Sequence, residues 1–252
     1  MANERLNPSR WLATARRCLR PLLPRSSPQA LKSYIRFWKS YRDYSRLQGQ
    51  PPCVWSDLDI QINDWHSTTP ISYYFYQDTW AFHKVAQTPP AFHVDIGSTA
   101  LLVGCFAALA PTISVDVRPL AASVPNLGAI SGLITQLPFK NNSVPSLSSL
   151  CVIEHIGLGR YGDPLDPMGS QRAAEELVRV LAPGGNLFIS APCGRDYIAF
   201  NAHRSFEEEH FVAMFPGLTL KEFVLVNNHG VVPQVEDCPG AGLHVGLFHL
   251  AK

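Results

Sequence analysis

The stretch Leu137–Pro192, LPFKNNSVPSLSSLCVIEHIGLGRYGDPLDPMGSQRAAEELVRVLAPGGNLFISAP, decides the fold. It reads as a turn, an apolar strand ending in Glu154-His155, a polar glycine-rich loop, an amphipathic helix, a Pro-Gly-Gly turn and a second apolar strand. Two buried parallel strands joined by a helix form a βαβ unit. In an open α/β sheet, ligands sit outside the carboxyl ends of such strands. The loop from residue 154 to 166 therefore falls where chemistry is expected.

Upstream, AFHVDI (Ala91–Ile96) is a short apolar run with a polar end, Gly97-Ser98 makes a turn, and Thr99–Leu109 reads as an uncharged helix stopped by Pro111. ISVDV (Ile113–Val117) carries Asp116 about 20 residues after Asp95, the spacing at which a βαβ unit sets a carboxylate against ribose hydroxyls. GAISGLI (Gly128–Ile134), Leu147–Ile153 and Asn186–Ser190 continue the sheet. The connecting helix, about Ser170–Leu181, buries Ala173, Leu177, Val180 and Leu181, and Pro183-Gly184-Gly185 ends it. Ser205 with Glu208 fits a capping box opening a helix to Phe215. Leu218–Asn227 and Leu243–Ala251 are strand-like, with no helix between them, so they should pair antiparallel.

The first 46 residues carry 11 Lys/Arg against Glu4 and Asp43, while the remainder is acidic. Within Trp11–Tyr44, the run LKSYIRFWKSYRDY (Leu31–Tyr44) has Leu31, Tyr34, Ile35 and Trp38 at helical spacing with Lys32, Arg36 and Lys39 around them. Two readings stay open: a helix packed on protein, or peripheral membrane contact through residues 11–44. Residues 1–50 thus form a basic arm ending in the QGQPP linker. Residues 51–90, rich in Trp and Tyr, form a helical cover, and 91–252 form the main domain. Six scattered cysteines without a C-x-x-C pair suggest a reducing, cytoplasmic setting and no metal site. No apolar run reaches the roughly 20 residues of a membrane span.

VDIGS (Val94–Ser98), SVDV (Ser114–Val117), LPFKNNSV (Leu137–Val144), SSLCVIEHI (Ser148–Ile156) and ELVRVLAPGGNLFIS (Glu176–Ser190) resemble, in this order, the signature segments of class I S-adenosylmethionine-dependent methyltransferases. The resemblance covers roughly residues 91–250. More narrowly, HIGLGRYGDPLDP (His155–Pro167) with FNAHR (Phe200–Arg204) resembles an uncharacterised methyltransferase-like family carried as a domain of unknown function. It implies a Rossmann-like α/β fold with a seven-stranded sheet, mostly parallel with a C-terminal antiparallel hairpin, plus the helical N-terminal appendage. It also implies S-adenosyl-L-methionine as cofactor, bordered by Asp95, Gly97 and Ser98 at the methionine end, Asp116 at the ribose, Thr135 near the adenine and Glu154 beside the sulfonium. The sequence departs from the pattern twice: Ser98-Thr99-Ala100 stands where further glycines are usual, and Leu133 stands where a carboxylate for the adenine amine is common. A nicotinamide dehydrogenase would need G-x-G-x-x-G, whereas Gly97–Leu102 reads GSTALL.

A hydroxyl acceptor needs a base near neutral pKa, so His155 is the first catalytic candidate, with Asp163 and His203 beside it. Arg160, Tyr161, Asp166 and Arg204 are candidate grips for a polar, carbohydrate-like substrate. The alternative for Asp163-Pro164 and Asp166-Pro167 is that they form turns or caps. Two functions follow: methyl transfer to a small polar acceptor, or a catalytically inactive methyltransferase-like binding module. Nucleic acid is an unlikely partner for so acidic a sheet domain.

Overall fold

The computed structural model describes residues 28–47, 71–232 and 243–252, with the isolated positions 15, 58, 60 and 69. The arm before residue 28, the Gln48–Pro52 linker and most of 53–70 lie outside the described residues. The chain divides into two units, Met1–Pro70 and Ile71–Lys252. In the first, helix α1 spans Pro28–Tyr44. The rings of Tyr34, Phe37, Trp38 and Tyr41 contact one another along it at 5.2 to 6.5 Å between centroids.

The second unit opens with α2, Tyr73–Gln87, so the aromatic segment expected as one cover divides at Pro70 and its helix goes with the sheet. There follow β1 (His93–Ile96), α3 (Ala100–Leu109), β2 (Thr112–Asp116), β3 (Leu127–Ser131), β4 (Val144–Leu150), α4 (Gly169–Val180) and β5 (Leu181–Pro192). A small hairpin, β6 (Tyr197–Ala199) with β7 (His203–Ser205), precedes α5 (Glu208–Ala213), β8 (Thr219–Asn227), β9 (Gly230–Val232) and β10 (Val245–Ala251).

The main sheet has the order β3-β2-β1-β4-β5-β10-β8-β9. The strands β3 to β5 run parallel, and β10 lies antiparallel between β5 and β8. Among the described residues the sheet therefore has eight strands rather than seven, because the chain after β8 doubles back as β9 before β10 inserts beside β5. Strand order reverses between β1 and β4, which makes the gap beyond their carboxyl ends the switch point where this architecture binds ligands.

Alternation along β5 explains the layers. Leu187 and Ile189 face a core built with Ala173, Leu177 and Val180 of α4 and Phe211 of α5. Phe188 faces the other way, onto Ala81 and Val85 of α2 and Leu102 and Phe106 of α3. Each fully buried leucine or phenylalanine contributes about 1.5–3 kcal/mol relative to exposure, so these two cores fix which tips of the sheet stay open.

Two expected local features are corrected. Strand β4 ends at Leu150, and Ile153–His155 forms a single 3-10 turn beyond it. The reversal comes from Cys151, whose φ of +54° is rare outside glycine and costs about 1–2 kcal/mol. The Ser205–Glu208 capping box does not form either: Ser205 is buried in β7, and α5 begins after Glu207 without a side-chain cap.

Candidate active site

Two adjoining cavities open at the carboxyl ends of β1, β2 and β4, and Gly97, Cys151, His155 and Tyr161 line both. The larger, about 830 Å³, runs from Gly97 past Asp116 to the wall formed by Leu133, Ile134, Thr135 and Gln136. The smaller, about 300 Å³, is enclosed by Tyr73, Tyr74, Ser98, Glu154, Arg160 and His203.

The floor is a directed chain of hydrogen bonds. Ser98 N–H donates to Asp95 Oδ1 at 3.1 Å, and the Ser148 hydroxyl donates to the other oxygen of Asp95. Because the Ser148 proton is spent on Asp95, His93 Nε2, 2.9 Å away, must donate to Ser148, and His93 Nδ1 then accepts from Ser146 at 2.8 Å. Burial keeps His93 neutral, lowering its pKa to about 3. Burial also raises Asp95 to about 6. Asp95 therefore does not border a cavity: it is fully buried and positions the Gly97-Ser98 turn from behind. Gly97 needs its freedom here, with φ at +72° and room for a Cβ only 3.1 Å from the Val152 side chain.

At the larger cavity, Asp116 accepts the Arg118 N–H through Oδ1 at 2.7 Å, which turns the carboxylate at the tip of β2. The opposite wall is held from α4. Glu176 accepts the Leu137 N–H at 2.6 Å and pairs with Arg179, whose guanidinium also donates to the Leu137 and Phe139 carbonyls.

Glu154 lines the smaller cavity, beside His155, which lines both. Its side chain is 2% exposed, and Oε2 has no hydrogen-bond partner among the described residues. Leaving a buried carboxyl oxygen unpaired costs about 1–3 kcal/mol, so the site retains an unspent hydrogen-bonding capacity. Burial pushes this carboxyl up to about 8. His155 Nδ1 lies 2.6 Å from the Ala202 carbonyl and must carry the proton, which leaves the Nε2 lone pair available. Burial lowers the His155 pKa. Nε2 and Glu154 Oε1 are 3.6 Å apart, too far for a hydrogen bond, and the opposite shifts leave both groups neutral rather than paired as ions.

The loop from 157 to 166 uses its charged residues differently from expectation. Asp163, a candidate catalytic residue, accepts Gly157 N–H at 2.6 Å and Tyr161 N–H at 3.3 Å, so its carboxylate is a turn brace. Asp166, a candidate substrate grip, accepts Met168 N–H at 2.9 Å and pairs with Arg172 at 3.0 Å, bracing the turn that leads into α4. Both border the larger cavity, with those oxygens engaged. Arg204 lines neither cavity. It is 6% exposed and donates to the carbonyls of Ile156 and Asp166 and to Ser170 Oγ. In these contacts it clamps the loop. Arg160 does face the smaller cavity and shares the Ala202 carbonyl with His155. Tyr161 lies between the guanidinium groups of Arg118 and Arg160, at 5.4 and 5.2 Å. His203 Nε2 is 3.1 Å from the Tyr197 hydroxyl and lines the smaller cavity.

Sequence reading assigned no residue from α2, yet that helix supplies a wall. Tyr73 and Tyr74 line the smaller cavity, their rings tilted at 32° with centroids 4.3 Å apart. Behind them the buried Gln77 accepts from Ser190 Oγ at 2.7 Å and Cys151 Sγ at 3.0 Å, tying α2 to the tips of β4 and β5. The only signal was the density of aromatic residues just before the sheet.

Comparison with known proteins adds to this geometry. A family model described as Caenorhabditis protein of unknown function, DUF268, matches residues 139–227. Among solved structures, a Burkholderia thailandensis 1,6-didemethyltoxoflavin-N1-methyltransferase with bound S-adenosylhomocysteine aligns at TM-score 0.52 and 15% identity, covering 100% of this chain and 93% of that one. The [4+2]-cyclase SpnF aligns at TM-score 0.54 and 12% identity, over 75% and 85% of the two chains. A geranyl diphosphate methyltransferase in complex with SAM aligns at 0.50 and 12%, over 70% and 84%. The fold is that of class I S-adenosylmethionine-dependent methyltransferases. No curated protein matches the chain.

Proposed function

We propose that this chain binds S-adenosylmethionine in the larger cavity and directs its methyl group to a small polar acceptor in the smaller one. The observation that carries the proposal is the buried, unpartnered Oε2 of Glu154 in the smaller cavity, next to His155, which lines both spaces and has its Nε2 lone pair available. The larger cavity suits a nucleoside with an amino-acid tail, being within the 300–1,000 Å³ typical of ligand sites. Asp116 would accept ribose hydroxyl protons, the Gly97-Ser98 turn would border the methionine end, and Ile134 and Thr135 would flank the base. Leu133 offers no carboxylate to the adenine amine, but the amide of Gln136 lines the same wall and supplies an acceptor. When bound, the cofactor supplies a methyl carbon on a sulfonium leaving group.

The protein's part is then to position the acceptor and remove its proton. Neutral His155 can take that proton at Nε2, with Nδ1–H fixing the ring against Ala202. Protonated Glu154 offers Oε1 or Oε2 to the acceptor's polar atoms, and Tyr73 and Tyr74 exclude water above it. The fold alone does not dictate this reaction, since one similar structure is that of a [4+2]-cyclase. A protic acceptor is favoured by the His155 lone pair. Isothermal titration with S-adenosylmethionine and its demethylated product tests the first half: micromolar binding is expected, and no heat with either ligand overturns the reading. Binding without turnover on any hydroxyl or amine panel would instead leave a methyltransferase-like binding module.

A further inference from the structure

On α1, Leu31 and Ile35 sit one turn apart and are 48% and 62% exposed. Helical spacing carries the same line on to Lys39, and Lys32 flanks it two turns before Lys39. Lys32, Lys39, Arg42 and Arg46 are all exposed. The acid Asp43 lies 3.3 Å from Arg42 and 3.9 Å from Arg46, but such exposed pairs contribute about 0–1 kcal/mol and leave the helix strongly basic. Beside this stripe the helix carries the ring cluster of Tyr34, Phe37, Trp38 and Tyr41, residue types suited to a water–hydrocarbon boundary. The surrounding sequence has the same sign: residues 1–46 hold 11 Lys/Arg against two acids, whereas the remainder holds 10 against 18. No helix among the described residues is long and apolar enough to cross a membrane.

We propose that α1 lies flat on anionic lipid surfaces, with Leu31 and Ile35 entering the headgroup boundary and Lys32, Lys39, Arg42 and Arg46 meeting lipid phosphates and carboxylates. Lysine stems extend along the apolar surface while their ammonium groups reach the headgroups, so an apolar pair bordered by lysines suits a bilayer. A nucleic-acid partner would use the charges and leave Leu31 and Ile35 in water, and for that reason lipid is the better fit. The acidic charge of the rest of the chain is repelled by the same surface. Attraction is therefore confined to the N-terminal region.

The test is co-sedimentation of the full-length chain with phosphatidylcholine vesicles, with and without phosphatidylserine, at an ionic strength of about 0.1 M. Binding is expected only with phosphatidylserine. Lys32→Gln/Lys39→Gln should weaken it roughly 25-fold, at about fivefold per charge. Leu31→Ser/Ile35→Ser keeps every charge and should weaken it at least about tenfold while steepening its loss with salt. That second variant separates α1 from the remaining basic residues of the arm. Three results would overturn the proposal: no vesicle binding, equal binding to uncharged vesicles, or retention by nucleic acid alone. Unchanged binding by the Leu31/Ile35 variant would also overturn it. Circular dichroism of both exposed-face variants checks that helix content is retained.

Discussion

Asp95, near the end of β1, and Glu154, beyond the end of the adjacent parallel strand β4, are both buried acids, and burial raises the pKa of both. Asp95 spends its oxygens on Ser98 N–H and Ser148 Oγ. Glu154 keeps Oε2 unspent and faces a cavity. The turn after β1 is thus finished architecture, while the turn after β4 waits for a partner. The contrast teaches that in this fold a carboxylate's position at a strand tip is a weaker guide to function than whether its oxygens are already committed to backbone N–H groups.

The sharpest test of that contrast is Glu154→Gln. If the open oxygen serves the reaction, methyl transfer should fall on the order of 10²–10³-fold. Folding stability should hold or rise, because the substitution removes an acid that folding desolvates. The sign follows from the raised pKa. The carboxyl moves from its ordinary 4.5 to about 8 in the folded state, so its contribution is fully present below pH 4.5 and is lost as pH climbs to about 8. Chemical denaturation across that window should show stability declining by a few kcal/mol in the parent protein and a flatter profile in the variant. A steep parental profile that survives unchanged in Glu154→Gln would place the titrating group elsewhere.

Next comes the clamp on the loop beyond Glu154. Arg204→Met removes the donors to the Ile156 and Asp166 carbonyls and strands them in a buried setting, at an expected cost of about 2–4 kcal/mol in urea denaturation. Cofactor affinity should fall far less than stability does. A stable variant with selective loss of acceptor binding would restore Arg204 as a substrate grip. Smaller again is Asp116→Asn, which keeps the shape but weakens the acceptor for hydroxyl protons. Titration calorimetry should show affinity for S-adenosylmethionine lowered about 5- to 50-fold, consistent with one charge-assisted pair.

Much of the fold was legible because it rests on periodicity. The apolar runs and the glycine turn after β1 state their role locally, whereas Pro183-Gly184-Gly185, expected as a turn that ends the helix, lies within β5, which begins at Leu181. Position was legible where a residue stands alone near a strand tip: Asp116, Gly97 and Glu154 each line one of the two cavities or both. It was not legible where partners are distant in sequence: His93 meets Ser148, Gln77 meets Ser190, and Arg204 meets Ile156 only after the sheet and hairpin are assembled. Tyr73 and Tyr74 were hidden for the same reason, since nothing in the aromatic segment says which rings border the cavity.

Asp163 gives the finest discrimination between a spent and an open carboxylate. Both its oxygens receive N–H groups, from Gly157 and Tyr161, inside a loop where Gly157 has φ of +81° and a Cβ would collide with the Asp166 backbone. Asp163→Asn replaces one acceptor with an amide that must turn an N–H toward one of those donors, which should cost about 1–2 kcal/mol of stability. Turnover should drop only a few-fold through loosening of the loop, and the pH–rate profile should keep its shape if His155 is the base, as proposed. If the profile instead loses its acidic limb, Asp163 is the base, and the division between braced and available carboxylates fails at the residue where the geometry draws it most firmly.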